Sequence, residues 1–291
     1  MHNGYKSQST RRDLYQDITD RLLEALAKGV IPWIPRYSAV KLPPFQNVTN
    51  GYVYKGVNPW ILGLAPYCDP RWITFNQAKG LGGNVRKGEK GWPIYFFSFI
   101  KVLDKQTGLP TEIPMLKQYT VFNVSQTEGI AFPELDIVQS VPLKLRDVWA
   151  NMPNHPSVRV AAGNPCYSPR HDLIGMPPEH AYDSEDAYFL DFFHQLIHST
   201  GHESRLNRPA SFDRQSQGYA REELIAESGS AMLLAACGMQ LDIPNSAAYC
   251  ASWIQRLKDD PQALVWAASR AQRAADYVLG VGAEMAEREV A

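Results

Sequence analysis

The sequence predicts an α+β chain of two domains, a small mixed α/β domain followed by a helix-rich one. Short alternating apolar stretches broken by glycine-containing turns occupy the first 130 residues, whereas apolar stripes at spacings of three and four dominate the remainder. Charge divides at the same place. Residues 1–130 hold 16 Lys and Arg against 9 Asp and Glu, and residues 131–291 hold 13 against 21, so a net +7 joins a net −8. The third observation is the run His194-Gln-Leu-Ile-His-Ser-Thr-Gly-His202, which sets two imidazoles one turn apart on a shared helical face.

With 291 residues, 45% of them apolar, the chain can build one large or two ordinary cores. The turn-prone, proline-containing stretch from Gln126 to Leu143 marks the boundary. It gives domains at 1–130 and 144–291, joined by a linker at 131–143. No apolar run approaches membrane-spanning length, and Lys6, Arg11 and Arg12 lead into no apolar segment, so neither a span nor a secretory signal is expected. Cys68, Cys166, Cys237 and Cys250 lack short paired spacings and read as buried, reduced thiols of a cytoplasmic protein.

In the first half, Leu14, Ile18, Leu22, Leu23 and Leu26 form the stripe of a helix that ends at Gly29, before the proline-stiffened stretch from Ile31 to Pro35. Asn50-Gly51 is a turn with a strand after it, and Trp72 to Gly80 reads as a short helix. A glycine-rich basic loop from Gly82 to Gly91 leads into a strand from Trp92 to Ile100; a Thr107-Gly108 turn precedes another from Tyr119 to Asn123. Aromatic and basic residues interleave throughout. Single-stranded nucleic acid is held without sequence readout by a basic groove and aromatic platforms for bases. Trp33, Tyr52, Tyr54, Lys55, Trp72, Arg86, Lys87 and Lys90 are therefore the candidate contacts with single-stranded DNA. The core of a small sheet with a wet basic surface would give the same composition. Lys87 has no Ser or Thr after it, so the loop is not a nucleotide P-loop.

The second half opens with a short helix from Lys144 to Asn151, a strand from Val158 to Ala162 and a hairpin-like excursion from Asn164 to Pro177 carrying Tyr167 and His171. Phe189, Leu190, Phe193, Leu196 and Ile197 define the next helix, with Asp183 or Ser184 to cap it and Gly201 to stop it. Its His194 and His198 are the first two ligands of a mononuclear zinc site. A helix from Tyr219 to Leu234 supplies Glu223 and Glu227. One carboxylate completes a three-ligand site with a position left for water, and a second can hold a ligand imidazole by its other nitrogen. His202 is a rival third ligand, though it follows the helix-ending glycine. Gln195 is discordant, because a hydrolytic site of this pattern needs a carboxylate there to take a proton from water. A polar loop from Arg205 to Gly218, alanine-rich helices at Ala247–Leu257 and Gln262–Leu279, and a charged tail from Ala283 complete the chain.

Nearly the whole length resembles the ArdC-type antirestriction proteins of conjugative plasmids and the related plasmid primase proteins. The motifs that carry the resemblance in the first half are Ile31-Pro-Trp33, Asn47-Val-Thr-Asn-Gly-Tyr-Val-Tyr-Lys-Gly-Val-Asn58, Trp72-Ile-Thr-Phe-Asn-Gln-Ala78 and Gly83-Asn-Val-Arg-Lys-Gly-Glu-Lys90. In the second they are Asp172-Leu-Ile-Gly-Met-Pro177, His194 to Arg208, Tyr219 to Glu227 and Ser252-Trp-Ile-Gln-Arg-Leu257. The resemblance implies a single-stranded-DNA-binding domain followed by a zincin-like, gluzincin-type metallopeptidase domain that acts on DNA-bound protein. It also implies one Zn2+ held by His194, His198 and Glu223, with Glu227 behind them, and a general-base glutamate at the position of Gln195. The chain departs from the family at that last residue, so metal binding is expected to survive and proteolysis is not.

Overall fold

The computed structural model describes residues 13–33, 43–103, 109–135, 145–208, 216–239 and 251–281, apart from positions 252, 256, 259 and 261 in the last stretch. Pro35, the Thr107-Gly108 turn, linker residues 136–143, the middle of the polar loop, the start of the helix expected from Ala247, Cys250 and the charged tail lie outside these residues.

Helix α1 (Leu14–Ala27) forms where the leucine stripe places it, with Asp13 accepting from the backbone N–H of Tyr15 and Gln16. The chain then departs from expectation. The Asn50-Gly51 turn is followed by only a bridge from Val53 to Gln46 of the two-residue β1 (Gln46–Asn47). The motif's polar side chains supply the reason. Asn47 accepts from Thr49 and donates to Gln77, and Asn50 accepts from Tyr52 N–H, so local side-chain bonds compete with a ladder.

Helix α2 (Asn58–Gly63) follows, pinned by Asn58, which exchanges two hydrogen bonds with the backbone of Tyr95. Trp72 belongs to β2 (Arg71–Ile73), not to a helix; Thr74 then caps α3 (Phe75–Gly80) in a reciprocal capping box with Gln77. β3 (Asn84–Val85) pairs with β6 (Thr127–Glu128), while β4 (Trp92–Leu103) and β5 (Pro110–Asn123) make a long antiparallel hairpin. β5 begins nine residues earlier than its expected start at Tyr119. Pro110 and Pro114 mask that part in the sequence, yet it is an edge paired only with β4, where a missing N–H is tolerated. The resulting sheet has the order β1-β2-β5-β4.

Helix α4 (Leu145–Ala150) leads into a three-stranded sheet of order β7-β9-β8, with β7 (Ser157–Val160) parallel and β8 (Cys166–Ser168) antiparallel to β9 (Leu173–Met176). Helix α5 (Glu185–Ser199) packs on β8 and β9, and α6 (Gln217–Ala236) and α7 (Ala263–Val278) pack on α5 and on each other. Gly229 lets α6 approach α5 closely, since a β-carbon there would lie 2.8 Å from the buried Ile197 side chain.

One apolar core runs through both halves. It joins Ile18, Leu22, Trp60 and Tyr95 to Phe193, Leu196, Ile225, Leu264 and Ala271. Trp33 sits at the crossing, 5.5 Å from Trp60 and 5.6 Å, edge-on, from Trp253. A second, smaller cluster of Tyr54, Leu62, Trp72, Ile94 and Val121 lies under the β-sheet. No helix among the described residues is long and apolar enough to cross a membrane.

Candidate metal centre

Ser184 caps α5 by accepting from Ala187 N–H, and Glu185 and Asp186 occupy its first turn. The apolar face of α5 turns Phe193, Leu196 and Ile197 inward, which leaves His194, Gln195 and His198 facing a cleft of about 720 Å³. The opposite wall comes from α6, and β8 contributes Cys166 and Tyr167 to the rim.

His194 and His198 bring their Nε2 atoms to 3.0 Å of each other. Glu223 closes the triangle, with carboxylate oxygens 3.5 Å from His194 Nε2 and 3.4 Å from His198 Nε2. Ligand atoms around a tetrahedral ion at about 2.0–2.2 Å lie roughly 3.3 Å apart. The three separations therefore suit a divalent cation at their centre. This is the one group of three such side chains found among the described residues. His202 is not in it; its Nδ1 accepts from Ser204 N–H at the cleft edge.

An acid that the sequence reading did not assign stands behind His198. Glu222 lies 3.3 Å from His198 Nδ1, whereas Glu227 is absent from the cleft wall. Glu222 is 4% exposed, and an unpaired carboxylate there would be costly. Arg208 supplies the countercharge. Its guanidinium donates to both Glu222 oxygens, at 2.8 and 2.6 Å, and also to Thr200 Oγ1 and the Ile197 carbonyl. Burial raises the Glu222 pKa, but Arg208 and His198 outweigh it and hold the carboxyl below its ordinary 4.5. Burial likewise opposes a charged His198, and Glu222 and Glu223 overcome that, leaving its pKa above 6.5. With its Nδ1 held against Glu222, the His198 ring is oriented so that Nε2 faces the centre of the triangle.

A second clamp shapes the rim. Arg205 donates to the Ser199 and Asn154 carbonyls and pairs with Asp172, whose φ is +45°. Tyr167 also donates to Asp172, so its hydroxyl is occupied although its ring lines the cleft. His171 pairs with Ser168 Oγ and is not part of the wall. Sequence reasoning assigned no site role to Arg205, Arg208 or Glu222. The signal available was the doublet Glu222-Glu223, which places two acids on adjacent faces of one helix. Gln195 lines the cleft beside the triangle, and its amide makes no hydrogen bond among the described residues.

The first-half contacts divide sharply. Trp33, Tyr54 and Trp72 are 3%, 3% and 0% exposed, so they are core and offer no platform to a base. Tyr52 is half exposed, and Lys55, Lys87 and Lys90 face solvent. Arg86 is committed internally, to Glu89 and the Ser125 carbonyl. Cys68 and Cys166 are exposed rather than buried; Cys237 is buried, which pushes its thiol up to about 11.

Two family models match the chain, the N-terminal domain of anti-restriction factor ArdC over residues 12–122 and a zincin-like metallopeptidase over residues 153–270. The metal-free crystal structure of the antirestriction ArdC protein from plasmid R388 is 38% identical, covers 94% of this chain and 99% of its own, and superposes with a TM-score of 0.71. The chain belongs to the ArdC family of antirestriction proteins. It has the two-domain ArdC architecture, an ArdC N-terminal domain followed by a zincin-like one. The Mn(II)-bound R388 structure is equally similar, at 37% identity and a TM-score of 0.72. A DNA primase TraC of Escherichia coli is 33% identical over 92% of this chain, and a second is 32% identical over 94%. The chain spans 27% and 20% of the length of those primases.

Proposed function

We propose that this ArdC-family chain is a cytoplasmic, single-stranded-DNA-binding antirestriction protein whose zincin-like domain holds one zinc ion and directs it at DNA-bound protein without hydrolysing it. The zinc ligands are His194, His198 and Glu223, and the observation that carries the reading is the Gln195 amide beside them. Zinc bound there would polarise a substrate carbonyl and acidify water. Gln195 can donate to and accept from a substrate amide, but it takes up no proton near neutral pH. Glu222 and Arg208 orient His198, and β8 offers an edge along which an extended peptide can lie.

Reversion tests the reading. Gln195→Glu is expected to raise cleavage of a DNA-bound protein by about a hundred- to ten-thousand-fold, while metal content stays at one ion per chain. A zinc-loaded Gln195→Glu protein that cleaves nothing, with or without single strands, would sink the peptidase assignment. A second reading also draws support from Gln195, in which the protein coats incoming strands and its metal domain is scaffold only. Under that reading His198→Ala leaves protection in cells unchanged, whereas loss of protection with DNA binding intact favours the first.

A further inference from the structure

Of the four expected base platforms Trp33, Tyr54 and Trp72 are buried, but Tyr52 is exposed and has a neighbour of the same kind that the sequence reading did not name. Tyr52 and Tyr119 are 46% and 48% exposed, and each packs on Phe96, with ring centroids 5.7 and 5.5 Å apart. Ile94 lies directly across the ladder from Tyr119, and Lys117 directly across from Phe96. Side chains on one face of a ladder alternate, so that face carries positions 92, 94, 96, 98, 100 and 102 of β4 and 111, 113, 115, 117, 119 and 121 of β5. Lys117 is the only charged residue among them, and it is exposed.

We propose that this face, with Tyr52 and Tyr119 as stacking rings, Phe96 as their backing and Lys117 as a phosphate contact, is where the domain holds single-stranded DNA. The proposal rests on the strand-binding reading above, keeps Tyr52 and adds Tyr119, Phe96 and Lys117 to it. Charge selects the occupant. A strand brings flat apolar bases and an anionic backbone, and the face offers half-open aromatic rings beside an ammonium with no carboxylate to repel phosphate. The domain's excess of basic over acidic residues, 16 against 9, supports the same partner. Phe96 packs against both rings and against the cluster that contains Trp72, so the platform is backed by core.

The experiment measures binding of a fluorescently labelled oligo-dT to the full chain and to Tyr52→Ala, Tyr119→Ser, Tyr119→Phe and Lys117→Ala variants, each with a matching thermal midpoint. Loss of either ring is expected to weaken binding about five- to hundredfold, and Tyr119→Phe to keep it, because stacking needs the ring and not the hydroxyl. Lys117→Ala should weaken binding and flatten its salt dependence by about one counterion. A wild-type chain that binds no single strand overturns the strand-binding reading itself. A wild-type chain that binds, with ring variants that bind as well, overturns only this placement. If the ring variants bind normally and instead lose self-association in sedimentation, the face is a protein contact and the placement fails.

Discussion

At the scale of single residues, the centre depends on a buried chain of charge from Arg208 through Glu222 to His198. Arg208→Met strips Glu222 of its countercharge and is expected to lower divalent-metal affinity about ten- to a hundredfold, read by competition with a chromophoric chelator. The same variant should lose about 3–5 kcal/mol of stability, because it leaves a carboxylate buried and unpaired. Acid titration probes the pair independently. The Glu222 pKa is lower in the folded chain than the ordinary 4.5, so the unfolded chain takes up the proton first as pH falls. Its contribution is complete above about 4.5 and is lost as pH drops through the folded value. Urea midpoints of the metal-free wild type should fall more steeply below pH 4.5 than those of Glu222→Gln. His194 and His198 could be read from spacing because helical periodicity alone brings i and i+4 side chains together, and Glu223 was singled out by the family resemblance. Glu222 and Arg208 could not, since their roles depend on how deeply α6 seats against α5 and on where a loop returns.

At the scale of elements, the contact of α5 with α6 fixes the triangle, and Gly229 sets how close the two helices lie. Gly229→Ala places a methyl against Ile197, which is fully buried and has no room to yield. Overpacking of about 1–3 kcal/mol outweighs a gain of about 1 kcal/mol in helix propensity, so a lower thermal midpoint and weaker metal binding are expected together. A raised midpoint would show that the helices separate freely. The helices of the second half were legible because each has a long apolar stripe and α5 a clear cap. The first half was harder. Asn47, Asn50, Thr74 and Gln77 look like ordinary polar punctuation, yet Asn47, Gln77 and Thr74 form one network and Asn50 holds the Tyr52 N–H, which replaces a strand with turns. The burial of Trp33, Tyr54 and Trp72 was equally hidden, since composition cannot tell an aromatic core from an aromatic platform.

At the scale of the whole molecule, the two families of sequence pattern share one interior. Trp33 touches Trp60 from its own half and Trp253 from the other. Trp33→Ala is expected to cost about 3–5 kcal/mol and to destabilise both halves at once, giving a single calorimetric transition at lower temperature. Two separate transitions in the wild type would contradict a common core. A fragment ending at residue 135 should expose Ile18, Leu22 and Trp60 and bind a hydrophobic dye.

That shared tryptophan socket also bears on inheritance. Recombination that exchanged one half for a relative's would have to match the indole geometry on both sides of the seam or lose the fold. The alignments to the two primases each extend across more than nine-tenths of this chain, through both halves. The block is thus expected to move between plasmid genes as one cassette, and chimaeras joined between residues 131 and 143 should express insolubly unless positions 33, 60 and 253 come from the same parent.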